Sequence, residues 1–213
     1  MKWTRIQDTS LAEKENIKLY DNEVSGCYYH NAWHVHAMYD YLDKTNEPYD
    51  EALDWAVLFH DIVYDNQPEK EQRSAEESVN MTNIYQGCNL DFYDKLRVIS
   101  MIHATQDHSC KSPDDSAIIR ADLHALTDPV QVFRNFNLIL EESMYLYKID
   151  EKTFADNNIR FMSGNPLGGD DRGLYGRVEK NMEKDPDHRD FYNQVKRGIV
   201  STINLSRILK GDL

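Results

Sequence analysis

The chain has 213 residues, of which 40% are hydrophobic and 29% charged, the balance of an ordinary globular protein with one core. With 24 basic against 37 acidic residues its formal charge is −13, which disfavours general binding to a nucleic-acid polymer but permits a small phosphorylated substrate in a locally reversed field. Cys27, Cys88 and Cys110 are scattered and odd in number, which excludes a disulfide framework or zinc ribbon and points to a reducing, cytoplasmic setting. The N-terminal MKWTRIQDTSLAEKEN lacks a signal-type apolar core, and no stretch reaches the ~20 apolar residues a membrane span needs, so no membrane partner is expected.

In chain order, apolar residues recur at helical spacing. Val35, Met38, Tyr39 and Leu42 predict a helix over 31–44, with Asn31 as N-cap. Residues 50–64 are apolar on most sides, as in a central buried helix. A more polar helix over 70–85 has Ala75, Val79 and Ile84 as its buried points and stops at Gly87. Over 91–106, Phe92, Leu96, Ile99 and His103 form one stripe. Asp114 or Asp115 is expected to cap a helix over 116–127, broken by Pro129. Helices follow at 130–147, 151–162 and 187–209. Ser163 to Gly176, with five glycines and a proline, reads as a loop. No alternating strand pattern is present, so the expected fold is all-α: one multi-helix domain over 1–213, with residues 130–209 part of it.

The chemistry concentrates in three places: Tyr29-His30-Asn31 with His34, then Phe59-His60-Asp61-Ile62-Val63-Tyr64-Asp65, then Ala121-Asp122-Leu123. An unpaired carboxylate in an apolar helix costs several kcal/mol, and a metal ion offsets that cost because imidazole nitrogen and carboxylate oxygen are both good ligands. The competing reading is a buried polar network satisfied without an ion.

The order His34, His60-Asp61, Asp122 resembles the H…HD…D signature of the HD superfamily of metal-dependent phosphohydrolases. Arg73-Ser74-Ala75 and Ala121-Asp122-Leu123 are similar to a small subgroup described mainly as predicted HD phosphohydrolases. The resemblance covers about residues 28–126 and is loose beyond 130.

It implies a helical HD-type domain with His34, His60, Asp61 and Asp122 as ligands to one or two divalent metals (Mn, Mg, Fe, Co, Ni or Zn). It further implies hydrolysis of a small phosphorylated metabolite, with a nucleotide expected, by attack of metal-activated water on phosphorus. Asp65 resembles the second acid of the HDxxED motif of alarmone hydrolases, although Tyr64 stands at the glutamate position. Asp65 and His30 are therefore the candidate catalytic residues. His103, His108 and Arg73 are candidate substrate contacts, and Arg120 has a similar standing. His103 and His108 could instead hold a second metal, as a two-iron oxidation would require. His36, His124 and His188 fit no position and read as structural. The alternative function is a non-catalytic, metal-stabilised ligand-binding or regulatory module. Oligomeric state stays open, with a homodimer as one option.

Overall fold

The computed structural model describes residues 26–63, 73, 76, 77, 80, 90–164 and 173–212. Among these the fold is all-α, with eight helices and no strand. They are α1 (Ala32–Lys44), α2 (Glu51–Phe59), α3 (Phe92–Asp107), α4 (Pro113–Leu123), α5 (Pro129–Tyr147), α6 (Glu151–Ser163), α7 (Gly173–Lys184) and α8 (Arg189–Lys210). A 3-10 turn, His124–Thr127, joins α4 to α5. No helix among the described residues is long and apolar enough to cross a membrane.

Short polar side chains start most of these helices by accepting the orphan N–H groups of the first turn. Asn31 Oδ1 accepts from Trp33 N at 2.8 Å, the expected cap of α1. Asp50 accepts from Ala52 N at 2.9 Å, Asp91 from Asp94 N at 2.9 Å, and Asp150 from Thr153 N at 2.8 Å. Arg97 on α3 ties three acidic side chains together, pairing with Asp94 at 3.0 Å, with Asp114 at 2.7 Å, and with Asp50.

One apolar cluster draws on both halves of the chain, from Met38, Phe59, Ile102 and Ile119 to Val178, Tyr192 and Ile199. α8 packs on α6, α7, α5 and the 3-10 turn, while α2 packs on α3 and α4. The approach of α8 to the turn is close. A Cβ at Gly198 would stand 2.0 Å from the Leu126 carbonyl oxygen.

Several expectations change. α4 begins at Pro113 with Ser112 as cap, not at 116 behind Asp114 or Asp115. Pro at the first helical position costs nothing, since its missing N–H would be an orphan anyway. Asp115 is wholly buried instead, accepting from the backbone N–H of Lys111 at 2.8 Å and Ser112 at 2.7 Å. The expected stripe on α3 is not the buried face: Phe92 and Leu96 are exposed, whereas Val98, Met101, Ile102 and Thr105 are buried.

The glycine-rich stretch ends at Gly173, where α7 begins. Gly173 has φ +60°, and a Cβ there would meet Gly164 N at 2.1 Å. Its lack of a side chain lets α7 start hard against the end of α6, so this glycine signals close packing; of the expected loop, Ser163 and Gly176 are helical and residues 165–172 lie outside the described residues. Of the expected helix over 70–85, residues 73, 76, 77 and 80 are helical. Ala75, Val79, Ile84 and Gly87 lie outside the described residues.

Candidate metal centre

α2 stops at Phe59, so the His60-Asp61 doublet sits at the helix end and not inside a helix running to 64. The chain tightens there, with Ile62 N donating to Phe59 O at 3.2 Å. His60 Nδ1 donates to the Val57 carbonyl at 3.0 Å, filling one of the last carbonyls that α2 leaves open. That bond fixes the tautomer. A neutral His60 then presents a bare lone pair at Nε2.

The lone pair faces electron-rich atoms. His60 Nε2 is 3.3 Å from His34 Nε2 and 3.0 Å from Asp61 Oδ2. His34 enters from the first turn of α1 and stands 3.1 Å from Asp122 Oδ1, in the last turn of α4. His34, His60 and Asp122 each offer a ligand atom, all within 4.8 Å of one another. Asp61 lies outside that mutual set and reaches it through His60. Neutral imidazoles and carboxylates cannot gather this way without a proton or a cation among them.

Two spacings, His60 Nε2 to His34 Nε2 at 3.3 Å and His34 Nε2 to Asp122 Oδ1 at 3.1 Å, fit a shared ion. Ligands about 2.1 Å from a metal stand about 3.0 Å apart in octahedral and about 3.4 Å apart in tetrahedral coordination. The Val57 carbonyl completes the arrangement, since metal-binding histidines nearly always donate their other ring N–H to an acceptor. His34, His60 and Asp122 could hold a divalent cation directly, with Asp61 beside them.

The electrostatics of the cluster show the same crowding of charge. Burial opposes protonation of His60, but the adjacent Asp61 and then Asp122 outweigh it and push the imidazole up to about 9. Burial would raise the Asp122 carboxyl, yet hydrogen bonds from His108 and His34 hold it well below the usual carboxylate range. Tyr29, half-buried with its ring centroid 4.9 Å from that of His34, has its phenol pushed up by desolvation and by the charges of Asp122, Asp61 and Glu142.

Of the expected substrate contacts, His108 joins the site. It follows α3 in a left-handed conformation, φ 49°, with Nε2 3.1 Å from Asp122 Oδ2. Few non-glycine residues adopt that backbone, and those that do gather at sites held in place by their surroundings. The clamp here is Asn181 on α7: its side-chain amide donates to the His108 carbonyl at 2.7 Å and accepts from Cys110 N at 2.9 Å. His108 Nδ1 is buried without a hydrogen-bond partner. His103, half-buried on α3, does not line the cavity at the cluster.

His30 reaches the site differently from the expected shared helical face, because α1 begins only at Ala32. Its Nδ1 lies 2.5 Å from Glu142 Oε1, while Glu142 Oε2 accepts the backbone N–H of Tyr29 at 2.9 Å and of His30 at 3.0 Å. Burial would raise the Glu142 carboxyl, but His30 and these N–H groups hold it below its usual value. Glu142 is a functional candidate the sequence reading missed. Its signal is an acid on the inward stripe of α5, one turn beyond Ile139.

Arg120 is committed elsewhere. Its guanidinium pairs with Glu47 at 2.8 Å and Asp185 at 2.7 Å, so it braces α4 and does not meet a phosphate. Arg73 is helical and half-buried, and it is not among the residues lining the cavity at the cluster. Asp65 and Cys88 lie outside the described residues. His124 and His188, read as structural, donate to the Ala121 carbonyl at 2.6 Å and to Asp185 at 2.8 Å.

A cavity of 360 Å³ opens on the cluster, with His30, His60, Asp61, His108 and Asp122 along one wall. Compared with family models, with curated proteins and with solved structures, the chain matches none.

Proposed function

We propose that this chain is a metal-dependent phosphohydrolase of HD type, acting on a small phosphorylated metabolite. The observation that carries the proposal is the convergence of His34 Nε2, His60 Nε2 and Asp122 Oδ1, with His60 Nδ1 already committed to the Val57 carbonyl. A divalent cation held there would supply Lewis acidity toward a phosphate oxygen and toward water.

The protein's own groups support that chemistry from the cavity wall. His108, held through its carbonyl by Asn181 and facing Asp122, would contact a phosphate oxygen. His30 has one ring nitrogen engaged by Glu142, which orients the other as a proton donor or acceptor. The Glu142–His30 pair stands as a carboxylate-oriented imidazole, the arrangement general acid–base catalysis uses.

Hydrolysis of a panel of phosphate monoesters and anhydrides, assayed with Mn, Mg, Co or Ni, tests the reading. We expect turnover that is lost in Asp122→Ala and His60→Ala. No turnover above these variants, on any substrate with any metal, refutes it.

A further inference from the structure

Asp122 is gripped on both of its carboxylate oxygens. Oδ1 stands 3.1 Å from His34 Nε2, inside the cluster, while Oδ2 stands 3.1 Å from His108 Nε2. An ionised carboxylate only accepts, so the proton in the second contact is carried by His108 Nε2. His108 therefore decides how the Asp122 carboxyl is turned, and with it how Oδ1 meets His34 and His60.

His108 is itself held through its backbone. Its ring Nδ1 is buried and meets no hydrogen-bond partner among the described residues, and the ring stands edge-on to Phe161 at a centroid distance of 6.2 Å. At φ 49° the residue is in a left-handed conformation, which a residue with a Cβ keeps only where its neighbours impose it.

Those neighbours lie at the end of α7. Asn181, 1% exposed, donates from its side-chain amide to the His108 carbonyl at 2.7 Å and accepts from Cys110 N at 2.9 Å. Lys184 Nζ donates to the Cys110 carbonyl at 2.5 Å. Just beyond the helix, Asp185 pairs at 2.7 Å with Arg120, two residues before Asp122 on α4. One end of α7 thus fixes both the turn that carries His108 and the helix that carries Asp122. Leu174 and Val178, buried in the main apolar cluster, seat α7 in its turn.

We infer that Asn181 is a positioning residue for the metal centre: acting through His108, it turns the Asp122 carboxylate toward a divalent cation and so sets how tightly that cation binds. The inference rests on the metal centre of the proposed function and assigns control of it to α7, which the H…HD…D pattern does not reach. Removing a group that orients a metal ligand by hydrogen bonding typically weakens the metal about ten- to a hundredfold.

Manganese binding to the full-length chain, measured by isothermal titration calorimetry, tests this, with the absorption bands of the cobalt-loaded chain reporting the geometry of the site. We expect Asn181→Ala and His108→Ala each to weaken manganese by about tenfold or more and to shift the cobalt bands. The double variant should lose no more than His108→Ala alone, because the two residues act in series. Asn181→Asp keeps an acceptor for Cys110 N but gives up the donor to the His108 carbonyl, so it should weaken manganese as Asn181→Ala does. It carries the test if the alanine variant does not fold. Val178→Ala, in the apolar core one turn earlier on α7, should lower the melting temperature while leaving manganese affinity within about twofold of the parent.

Asn181 variants that bind manganese as the parent does, losses that add in the double variant, or an equal loss in Val178→Ala overturn the inference and leave the metal centre standing. A parent chain that binds neither manganese nor cobalt overturns the metal centre and the inference with it.

Discussion

Stripping the protein with a chelator and restoring a divalent metal across a range of pH tests the metal centre through stability alone. In the metal-free protein His60 lies at about 9, above its ordinary 6.5. A raised value means that the protonated imidazole stabilises the fold. That contribution is complete below pH 6.5 and is lost as pH rises from 6.5 through 9. It amounts to at most about 3 kcal/mol, from the difference between the two values. The stripped protein should therefore melt at progressively lower temperature over that window.

A metal must displace the same proton, so its binding strengthens over the same window. At a hundredfold excess over its dissociation constant, a metal adds about 2.7 kcal/mol. For a chain of this size, that raises the melting temperature by about 5–11 °C. Differential scanning calorimetry of stripped and Mn-, Co- or Zn-loaded protein at pH 6, 7.5 and 9 should show a gap that widens with pH. His60→Gln and Asp122→Asn should close it. A metal-induced rise that is absent, that does not grow with pH, or that survives in His60→Gln refutes the assigned ligand set.

Glu142→Ala leaves two backbone N–H groups and His30 without their acceptor in a buried site, so it should cost roughly 2–4 kcal/mol in urea unfolding, with Glu142→Gln recovering part of the loss. Asn181→Ala should cost about 2 kcal/mol and speed amide exchange at Cys110, whose N–H it leaves bare. Gly198→Ala should destabilise by about 3 kcal/mol, because its Cβ would stand 2.0 Å from the Leu126 carbonyl oxygen. Helix propensity alone predicts the opposite sign, a gain of about 1 kcal/mol, so the unfolding midpoint separates the two.

How far the sequence reaches depends on how local each cause is. Helix periodicity and caps are local, so α1, α5, α6 and α8 lie within two residues of their expected bounds, and Asn31 caps α1 as expected. His34, His60 and Asp122 were legible because a buried acid or a histidine at an apolar helix needs a partner wherever the chain goes. What the pattern could not show is which face turns inward. On α3 the apolar residues are spread widely enough that tertiary packing chooses, and it buries Val98 and Met101 while leaving Phe92 and Leu96 in solvent.

The remaining parts of the site depend on partners far along the chain. Glu142 meets His30 across 112 residues, and Asn181 meets His108 across 73. Neither pairing leaves a mark in local spacing. The first shows only as an acid on an apolar stripe, the second only as a polar residue near the end of a helix that Gly173 and Gly176 disguise. The same asymmetry runs through function. The four residues that resemble a known signature lie in the first 122 positions, while the surface that would select a substrate comes from α5 to α7. Two chains could share the first part and differ entirely in the second, so under the proposed function the His34–His60–Asp122 cluster would bound the chemistry and the cavity would decide the molecule.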